Sequence, residues 1–362
     1  MLSKPLIINE KFRSERSGEL VIACDITYNS IALVYYDRAM HRNYARAVMT
    51  GTEISARESP DMLARLAVTS MREFSVRAGE ISQIGIAAPV HISHILESEL
   101  SPTDLYLSPE TDILFVPFIS AGISGRFTAS LLTISEDDFF AADVGKTLCL
   151  AKKSGDRLEC AAFPLMGAFD GSALENGMPA EKGAVEAVRR EEDGTIAYEV
   201  VGDGESKGVA PSAAVMTVGI MLDRGILDGD GIMWDRDLFY IGEDFFISQS
   251  DVRALQTDKA HIAAALDMFP EEKRGFFSGE PFSAAEGFSG MIKIGAIPQR
   301  LEKSAFCRNS AERGIILFLE NEEMRDKAFT IASRATDISE MIYPQYRENY
   351  LNYLTFSERR EN

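Results

Sequence analysis

The 362-residue sequence predicts an α/β protein built from two related halves. Short apolar runs of strand length alternate with segments whose apolar residues recur at helical spacing. Two strand–turn–strand patterns, at Asp25 and Asp143, share one order of residue types: an apolar strand, an aspartate, a small polar turn and a second strand. A pattern that recurs in two distant parts of a chain favours two structurally related halves.

The composition excludes several classes of partner and compartment. The chain carries 56 acidic against 37 basic side chains, a formal net charge of −19. Nucleic acid and anionic lipid both require a basic surface, so we expect neither nucleic acid nor a membrane as partner. The cysteines are scattered without a CxxC pair, at Cys24, Cys149, Cys160 and Cys307. Buried thiols in a reducing compartment are therefore expected, and we predict a cytoplasmic protein.

The first half is predicted over residues 19–135, after an extended N-terminal arm over residues 1–18. It opens with two apolar β runs, residues 19–25 and 31–36, joined by a polar turn. The further elements, read from apolar spacing and turn signals, are a helix over 59–79, strands over 84–90 and 113–118, and a helix over 121–132.

The second half is predicted over residues 136–350, followed by a charged C-terminal stub over 351–362. It opens with the second hairpin, over residues 139–150, and a strand over 158–163. The later elements are a helix over 215–224 closed by Gly225, a helix over 248–269 that opens on a capping cluster, a glycine-rich turn over 285–290, a helix over 309–323 and an aromatic-rich strand–helix tail from 328.

Both hairpin turns have residues suited to binding the phosphates of a metal-bound nucleotide. Backbone N–H groups of a small-residue turn can face phosphates, and an aspartate at the strand end can orient Mg²⁺. The candidates are Asp25 with Thr27, Asn29 and Ser30, and Asp143 with Gly145, Lys146 and Thr147. The alternative is that each aspartate only caps its turn and that Lys146 is solvated. A P-loop is excluded because the first glycine and its four-residue spacer are missing.

Several blocks of sequence resemble the reductive activators of corrinoid proteins. Residues 167–185 (GAFDGSALENGMPAEKGAV) resemble that family's PAFEGA…GM block, and residues 247–262 (ISQSDVRALQTDKAHI) resemble its ITQ.DI..LQ.AKAAI helix. Residues 112–122 and 225–231 also fit, and the order and spacing of the blocks hold from about residue 19 to residue 320.

The resemblance implies the actin-like ATPase fold (ribonuclease H-like), in which two related α/β halves enclose a nucleotide cleft. It implies ATP and Mg²⁺ as cofactors, with Asp25 and Asp143 as catalytic and metal-orienting residues. It also implies a role in returning an oxidised corrinoid to its active state, with a corrinoid protein or corrinoid methyltransferase as partner and a homodimer as the assembly. In place of the helix suggested by apolar spacing over 184–192, it implies a strand pair turning at Asp193-Gly194.

The sequence departs from the family pattern at the expected nucleotide loops. The first loop, DIGTTT in the family, is DITYNS here, so Thr27 stands where a glycine would let a phosphate approach closely. The second loop keeps Asp143 and Gly145 but loses the later glycine and glutamate. The AG.FGN turn corresponds to residues 285–290, which places Gly287 and Ser289 in a phosphate-binding turn beside the acidic Glu286.

These departures predict weakened or lost ATP turnover. We expect a corrinoid activation-type protein with at most weak ATP binding; the alternative is a catalytically inactive scaffold that acts through dimerisation or a protein partner. Scattered cysteines cannot form a clustered ligand set, so no iron–sulfur cluster is expected, and the chain is not expected to be a complete reductase.

Overall fold

The computed structural model of the protein describes residues 6–51, 53–202 and 204–356, which form two compact units. Unit 1 contains the described chain up to Asp137, with Gly155–Leu158 and Asn309–Thr336. Unit 2 contains Asp138–Ser154, Glu159–Arg308 and the described chain from Asp337 onward.

The secondary structure alternates between strands and helices, as the sequence predicts. The strands are β1 (Leu6–Lys11), β2 (Leu20–Ile26), β3 (Ser30–Asp37), β4 (Arg42–Thr50), β5 (Ile81–Ala87), β6 (Asp112–Phe115), β7 (Phe139–Val144), β8 (Thr147–Ser154), β9 (Arg157–Pro164), β10 (Ala184–Arg190), β11 (Ile196–Val200), β12 (Gly208–Val209), β13 (Leu238–Tyr240), β14 (Phe246–Ser248), β15 (Phe276–Gly279), β16 (Ala305–Cys307) and β17 (Thr336–Asp337). The helices are α1 (Ser59–Phe74), α2 (Val90–Glu99), α3 (Gly125–Leu132), α4 (Pro211–Asp223), α5 (Gln249–Leu266), α6 (Ala285–Lys293), α7 (Ser310–Glu320), α8 (Glu322–Arg334) and α9 (Ser339–Tyr350).

Unit 1 is built on a mixed sheet in the order β1-β4-β3-β2-β5-β6. Strands β2 and β3 are antiparallel, which confirms the predicted first hairpin, and β5 and β6 run parallel to β2 and β5 respectively. Alternate side chains of a strand point to opposite faces. On β5, Ile84 and Ile86 join the apolar core with α1 and α2, whereas Gly85 faces Ile315 of α7. The sheet is therefore covered by helices on both faces.

Helix α7 lies unusually close to the rest of unit 1. A Cβ atom added at Gly85 would lie 2.8 Å from the Ile315 side chain, and one at Gly314 would lie 1.8 Å from the Ala129 carbonyl oxygen. An ion pair between Arg46 of β4 and Glu312, 2.7 Å apart, also holds α7 to the sheet. These contacts explain why residues 309–336 belong to unit 1, although the predicted second half ran without interruption over 136–350.

The two predicted terminal segments also contain ordered structure. Within the predicted arm, β1 pairs with β4, and within the predicted stub, Phe356 is buried. Residues 1–5 of the arm and 357–362 of the stub lie outside the described residues. A single strand without its partner has no local signal that distinguishes it from an extended arm.

Unit 2 contains a second sheet, in which β15, β7, β8 and β9 follow one another and β16 flanks β15. Strands β7 and β8 form the predicted second hairpin, and β10 pairs with β11 across the turn at Asp193-Gly194, as the resemblance implies. A large apolar core joins this sheet to α4, α5, α6 and α9. In the described part of the chain, no helix combines the length and apolar character that a membrane span requires.

The glycine-rich turn predicted at residues 285–290 is wrong, because these residues form the first turns of α6. The glycines of this segment serve close packing between elements. A Cβ atom at Gly290 would lie 2.9 Å from the Val215 side chain of α4, and one at Gly287 would lie 2.0 Å from the Pro281 carbonyl oxygen. Glycine content alone cannot separate a flexible turn from a helix that packs closely.

Candidate nucleotide-loop sites

The first loop, in unit 1, holds its aspartate in an ion pair. Asp25 lies near the end of β2 with only 7% of its surface exposed. Its two carboxylate oxygens accept hydrogen bonds from Arg126, from Nε to Oδ1 at 2.5 Å and from Nη2 to Oδ2 at 3.1 Å. Arg126 comes from the first turn of α3. A guanidinium in this bidentate geometry is a strong and directional partner for a carboxylate, so a cation of the chain itself already pairs with the aspartate predicted to orient Mg²⁺.

The turn that follows Asp25 satisfies its own backbone donors. The Thr27 hydroxyl accepts hydrogen bonds from the backbone N–H groups of Asn29 (3.2 Å) and Ser30 (2.9 Å). The Thr27 N–H donates to the Ser30 carbonyl oxygen at 2.8 Å. Side-chain hydroxyls often close turns in this way. The amides expected to face a phosphate are thus engaged inside the turn.

The outer side of the first loop is fixed by the chain that follows β4. The N–H of Gly51 donates to the Asn29 carbonyl oxygen, and the N–H of Ile54 donates to the Tyr28 carbonyl oxygen. The Tyr28 ring lies 5.8 Å from the ring of His91, centroid to centroid. The turn is therefore held by the chain that follows β4 as well as by its own hydrogen bonds. Asp25, Thr27, Asn29 and Ser30 lie at this turn and at the strand end before it, and their role toward a phosphate stays a prediction.

The second loop, in unit 2, has open space at the glycine of its turn. Asp143 of β7 is buried and accepts a hydrogen bond from the Ser278 hydroxyl on the neighbouring strand β15, at 2.5 Å. The N–H of Gly145 donates to the Thr147 carbonyl oxygen at 3.3 Å. A Cβ atom at Gly145 would have no neighbour within 4 Å, so this glycine faces open space.

Lys146 binds a neighbouring segment of unit 2. Its ammonium donates to the Met166 carbonyl oxygen at 2.9 Å and lies 3.4 Å from the Ser172 hydroxyl. Gly167 makes this approach feasible, since its φ is +110° and a Cβ atom there would lie 2.7 Å from the Lys146 Nζ atom. Lys146 is half-buried and both of these contacts are exposed to solvent, so its role toward a phosphate stays a prediction.

Gly287 and Ser289 lie in α6 rather than in a phosphate-binding turn. Gly287 is buried against Pro281, and the Ser289 hydroxyl donates to the Glu286 carbonyl oxygen at 2.8 Å. The surroundings of α6 are acidic. Burial raises the pKa of Glu186, the charges of Glu199 and Glu286 raise it further, and Arg308 opposes them.

Asp258, on α5, is a charged residue that the sequence reasoning missed. Its carboxylate accepts hydrogen bonds from three consecutive amides, those of Met166 (2.6 Å), Gly167 (3.0 Å) and Ala168 (2.8 Å). Burial raises the pKa of Asp258, and these three donors oppose that shift. A signal was present, because Asp258 lies three residues after Leu255 and four before Ile262, on the predicted buried face.

Lys259, the next residue of α5, was missed as well. Only 2% of it is exposed. Its ammonium donates to the Thr355 carbonyl oxygen and lies 5.5 Å from the centre of the Phe356 ring. Burial lowers the pKa of Lys259 to about 8.

The predicted metal ligands Asp25 and Asp143 lie in different units. Within residues 6–51, 53–202 and 204–356, no group of three or more His, Cys, Asp or Glu side chains is arranged to hold a metal ion. The assignment of Mg²⁺ to either aspartate stays a prediction.

Comparison with known proteins finds one sequence family and two relatives that match the chain. The sequence family described as the C-terminal domain of RACo, the ASKHA domain, matches residues 140–362. The corrinoid activation enzyme RamQ of Eubacterium limosum is 24% identical over 298 residues, covering 71% of this chain and 49% of that protein. The chain therefore spans about half the length of this curated relative.

A solved structure confirms the predicted fold. The structure of a reductive activator for corrinoid, iron-sulfur protein matches with a TM-score of 0.81 and 18% sequence identity, covering 95% of this chain and 66% of that one. At this identity the match shows the fold alone, which is the actin-like ATPase fold expected from the sequence resemblance.

Proposed function

The chain belongs to the family of the C-terminal ASKHA domain of RACo, and from this membership we propose that it acts in corrinoid activation by binding a corrinoid protein or a corrinoid methyltransferase. The relative named as a corrinoid activation enzyme supports the same assignment. A fold can host many functions, so the family relationship, rather than the fold, carries the proposal.

The residues of the first loop do not fit Mg²⁺ and a nucleotide phosphate. A metal at Asp25 would have to share the carboxylate with the positive charge of Arg126, which is hydrogen-bonded to both of its oxygens. A phosphate at the turn would have to take the Asn29 and Ser30 amides from the Thr27 hydroxyl. In the second loop, the Lys146 ammonium is directed to Met166. We therefore derive no chemical step through ATP, and the proposed activity is partner binding with ATP binding weak and turnover lost.

Binding of the partner is tested with a purified corrinoid protein and with a purified corrinoid methyltransferase. Biolayer interferometry on the purified full chain should give a Kd below about 10 μM, in the range of specific regulatory contacts. The corrinoid protein is presented with its cobalt methylated and with its cobalt oxidised, since an activator needs to distinguish the two. Absence of binding to both forms of the corrinoid protein and to the methyltransferase at about 100 μM would refute the proposal.

The ATP part is tested by restoring the family glycine at position 27 and removing the guanidinium that pairs with Asp25. Calorimetry with Mg-ATP at about 1 mM should show no binding heat for the wild-type protein, consistent with a Kd in the millimolar range or weaker. The variant Thr27→Gly/Arg126→Gln frees the amides and Asp25 and should bind more tightly. The matched control Thr27→Ser/Arg126→Gln keeps the turn-closing hydroxyl and should bind less than the glycine variant. Steady ATP hydrolysis by the wild-type protein would contradict the proposal.

A second candidate function is a scaffold that uses this fold without a corrinoid partner. The internally satisfied first loop favours it, because such a loop stabilises the turn without any ligand. The partner measurement separates the two candidates, since a scaffold would ignore the corrinoid protein in both cobalt states. The homodimer stays a prediction for either candidate and is measured by sedimentation equilibrium. The cytoplasmic location is likewise kept as a prediction.

A further inference from the structure

A short part of unit 2 exposes apolar side chains in an acidic setting. Ile232, Trp234 and Tyr240 are 43%, 57% and 54% exposed. We call the exposed side chains between residues 230 and 244 the Trp234 surface. Single exposed apolar residues are ordinary on proteins, but here three lie within nine residues, and tryptophan and tyrosine are the residue types that dominate binding energy at interfaces.

The backbone under the Trp234 surface is held in place by one glutamine. The Gln249 side chain accepts a hydrogen bond from the N–H of Met233 and donates to the Gly231 carbonyl oxygen, both at 2.8 Å. Its own N–H donates to the Asp237 carbonyl oxygen at 3.0 Å. These three bonds tie the segment that carries Ile232 and Trp234 to the start of β13, which carries Tyr240. The exposed rings therefore stand on an ordered support.

The surface extends along the hairpin formed by β13 and β14. The Tyr240 ring lies 5.8 Å from the ring of Phe246 on the opposite strand. At the turn, a Cβ atom added to Gly242 would lie 3.0 Å from the ring of Tyr198, which is itself 40% exposed. Aromatic side chains thus continue from the hairpin to β11.

The charges of the Trp234 surface are strongly unbalanced. Its ionisable side chains are Asp230, Asp235, Arg236, Asp237, Glu243 and Asp244. All six are exposed, and in the described part of the chain none of them takes part in an ion pair. Five carboxylates against one guanidinium, none neutralised internally, make this surface complementary to a positively charged one.

We propose that the Trp234 surface is the docking site for the corrinoid protein, and that this partner presents a lysine- and arginine-bearing face with an apolar centre. The assignment rests on the proposed function. Trp234 and Tyr240 would supply the apolar contact at the centre of the interface. The surrounding carboxylates would steer the encounter and set the orientation of the partner.

The only tryptophan of the sequence makes the test direct. Corrinoid protein is titrated into the purified full chain and binding is followed by interferometry, while the emission of Trp234 is followed with a partner variant in which every tryptophan is replaced by phenylalanine. Trp234→Ala should weaken binding at least about 10-fold, as loss of a central aromatic residue does. The matched control Phe329→Ala removes an aromatic side chain of similar exposure (53%) from unit 1 and should leave binding unchanged.

A second pair of variants tests the charges. Asp235→Asn/Asp237→Asn keeps the side-chain shape and should slow association several-fold at low ionic strength and weaken its salt dependence without abolishing it, because three carboxylates of the surface remain. Asparagine also tolerates the left-handed backbone at Asp235, where φ is +59°. Glu322→Gln/Asp326→Asn removes two exposed carboxylates from α8 and serves as the control.

The outcomes separate this inference from the function on which it rests. Binding that is weakened at least about 10-fold by Trp234→Ala but unchanged by Phe329→Ala, with a blue shift of the wild-type emission, supports the docking site. Equal binding by the wild-type protein and Trp234→Ala overturns the site and leaves the proposed function intact. No binding of the corrinoid protein by the wild-type protein overturns the docking site, and no binding of the corrinoid methyltransferase either overturns the proposed function as well.

Discussion

Replacing Lys259 by methionine should stabilise unit 2 at neutral pH and should do so much less at alkaline pH. Lys259 is 2% exposed, and its ammonium donates to the Thr355 carbonyl oxygen. In the described residues it has no carboxylate partner. A buried ammonium without a counter-ion is held at a cost in free energy, and methionine fills a similar volume without the charge.

The magnitude follows from the pKa of Lys259, which burial lowers from 10.5 to about 8. Between these values the unfolded chain binds more protons than the folded one, so stability rises with pH there and is constant below pH 8. The two pKa values correspond to a cost of about 3 kcal/mol at pH 7 and about 1.5 kcal/mol at pH 9.5. Losing the hydrogen bond to Thr355 costs the variant about 1 kcal/mol and offsets part of this relief. Lys259→Met should therefore raise the free energy of unfolding by about 2 kcal/mol at pH 7 and by little at pH 9.5.

The assay is guanidinium unfolding at both pH values, followed by the fluorescence of Trp234, which lies in unit 2. Groups other than Lys259 cancel in the difference between the wild-type protein and the variant. Lys303→Met, at an exposed position of the same unit, is the control and should change little at either pH. A stability difference for Lys259→Met that is equal at the two pH values would refute the reasoning.

Two further predictions concern the structure of unit 2. Gly287→Ala should lower the free energy of unfolding by about 2–4 kcal/mol, because its Cβ atom would lie 2.0 Å from the Pro281 carbonyl oxygen; thermal unfolding checks it, and Gly145→Ala, in open space, is the control. Asp258→Ala should cost about 3–5 kcal/mol, because three amides lose their acceptor, and Asp258→Asn should cost less, since one oxygen remains. Similar losses for Asp258→Ala and Asp258→Asn in guanidinium unfolding would contradict this account.

The fold could be predicted where the signal is local. The hairpins at Asp25 and Asp143 are visible as apolar runs around a polar turn, and Gly225 ends α4 with a φ of +62°. The packing of α7 on the sheet of unit 1 could not be predicted in this way, because helical spacing reveals a helix but not the sheet on which it packs. Gly85 and Gly314 encode that contact, yet each appears in the sequence only as an isolated glycine inside an apolar segment.

The candidate site was predicted less completely than the fold. The sequence located the first loop and identified Thr27 as its anomaly, on the ground that a side chain would crowd a phosphate. The structure adds that the Thr27 hydroxyl engages the turn amides. Arg126 could not be identified as the partner of Asp25, because it lies 101 residues away in sequence. Only the packing of α3 brings the guanidinium to the carboxylate.

The first loop combines two contacts that together satisfy its polar groups without a ligand. A phosphate-binding turn presents amide donors, and its aspartate presents negative charge to a metal; without a ligand, both kinds of group would be buried without partners at a cost of about 1–3 kcal/mol each. Here the Thr27 hydroxyl satisfies the donors and Arg126 satisfies the carboxylate. The threonine at position 27, in place of the family glycine, accounts for the satisfied amides alone. The carboxylate of Asp25 is satisfied separately, by Arg126. The presence of both supports a loop that is stable without a nucleotide, in which binding one would break contacts the fold already uses.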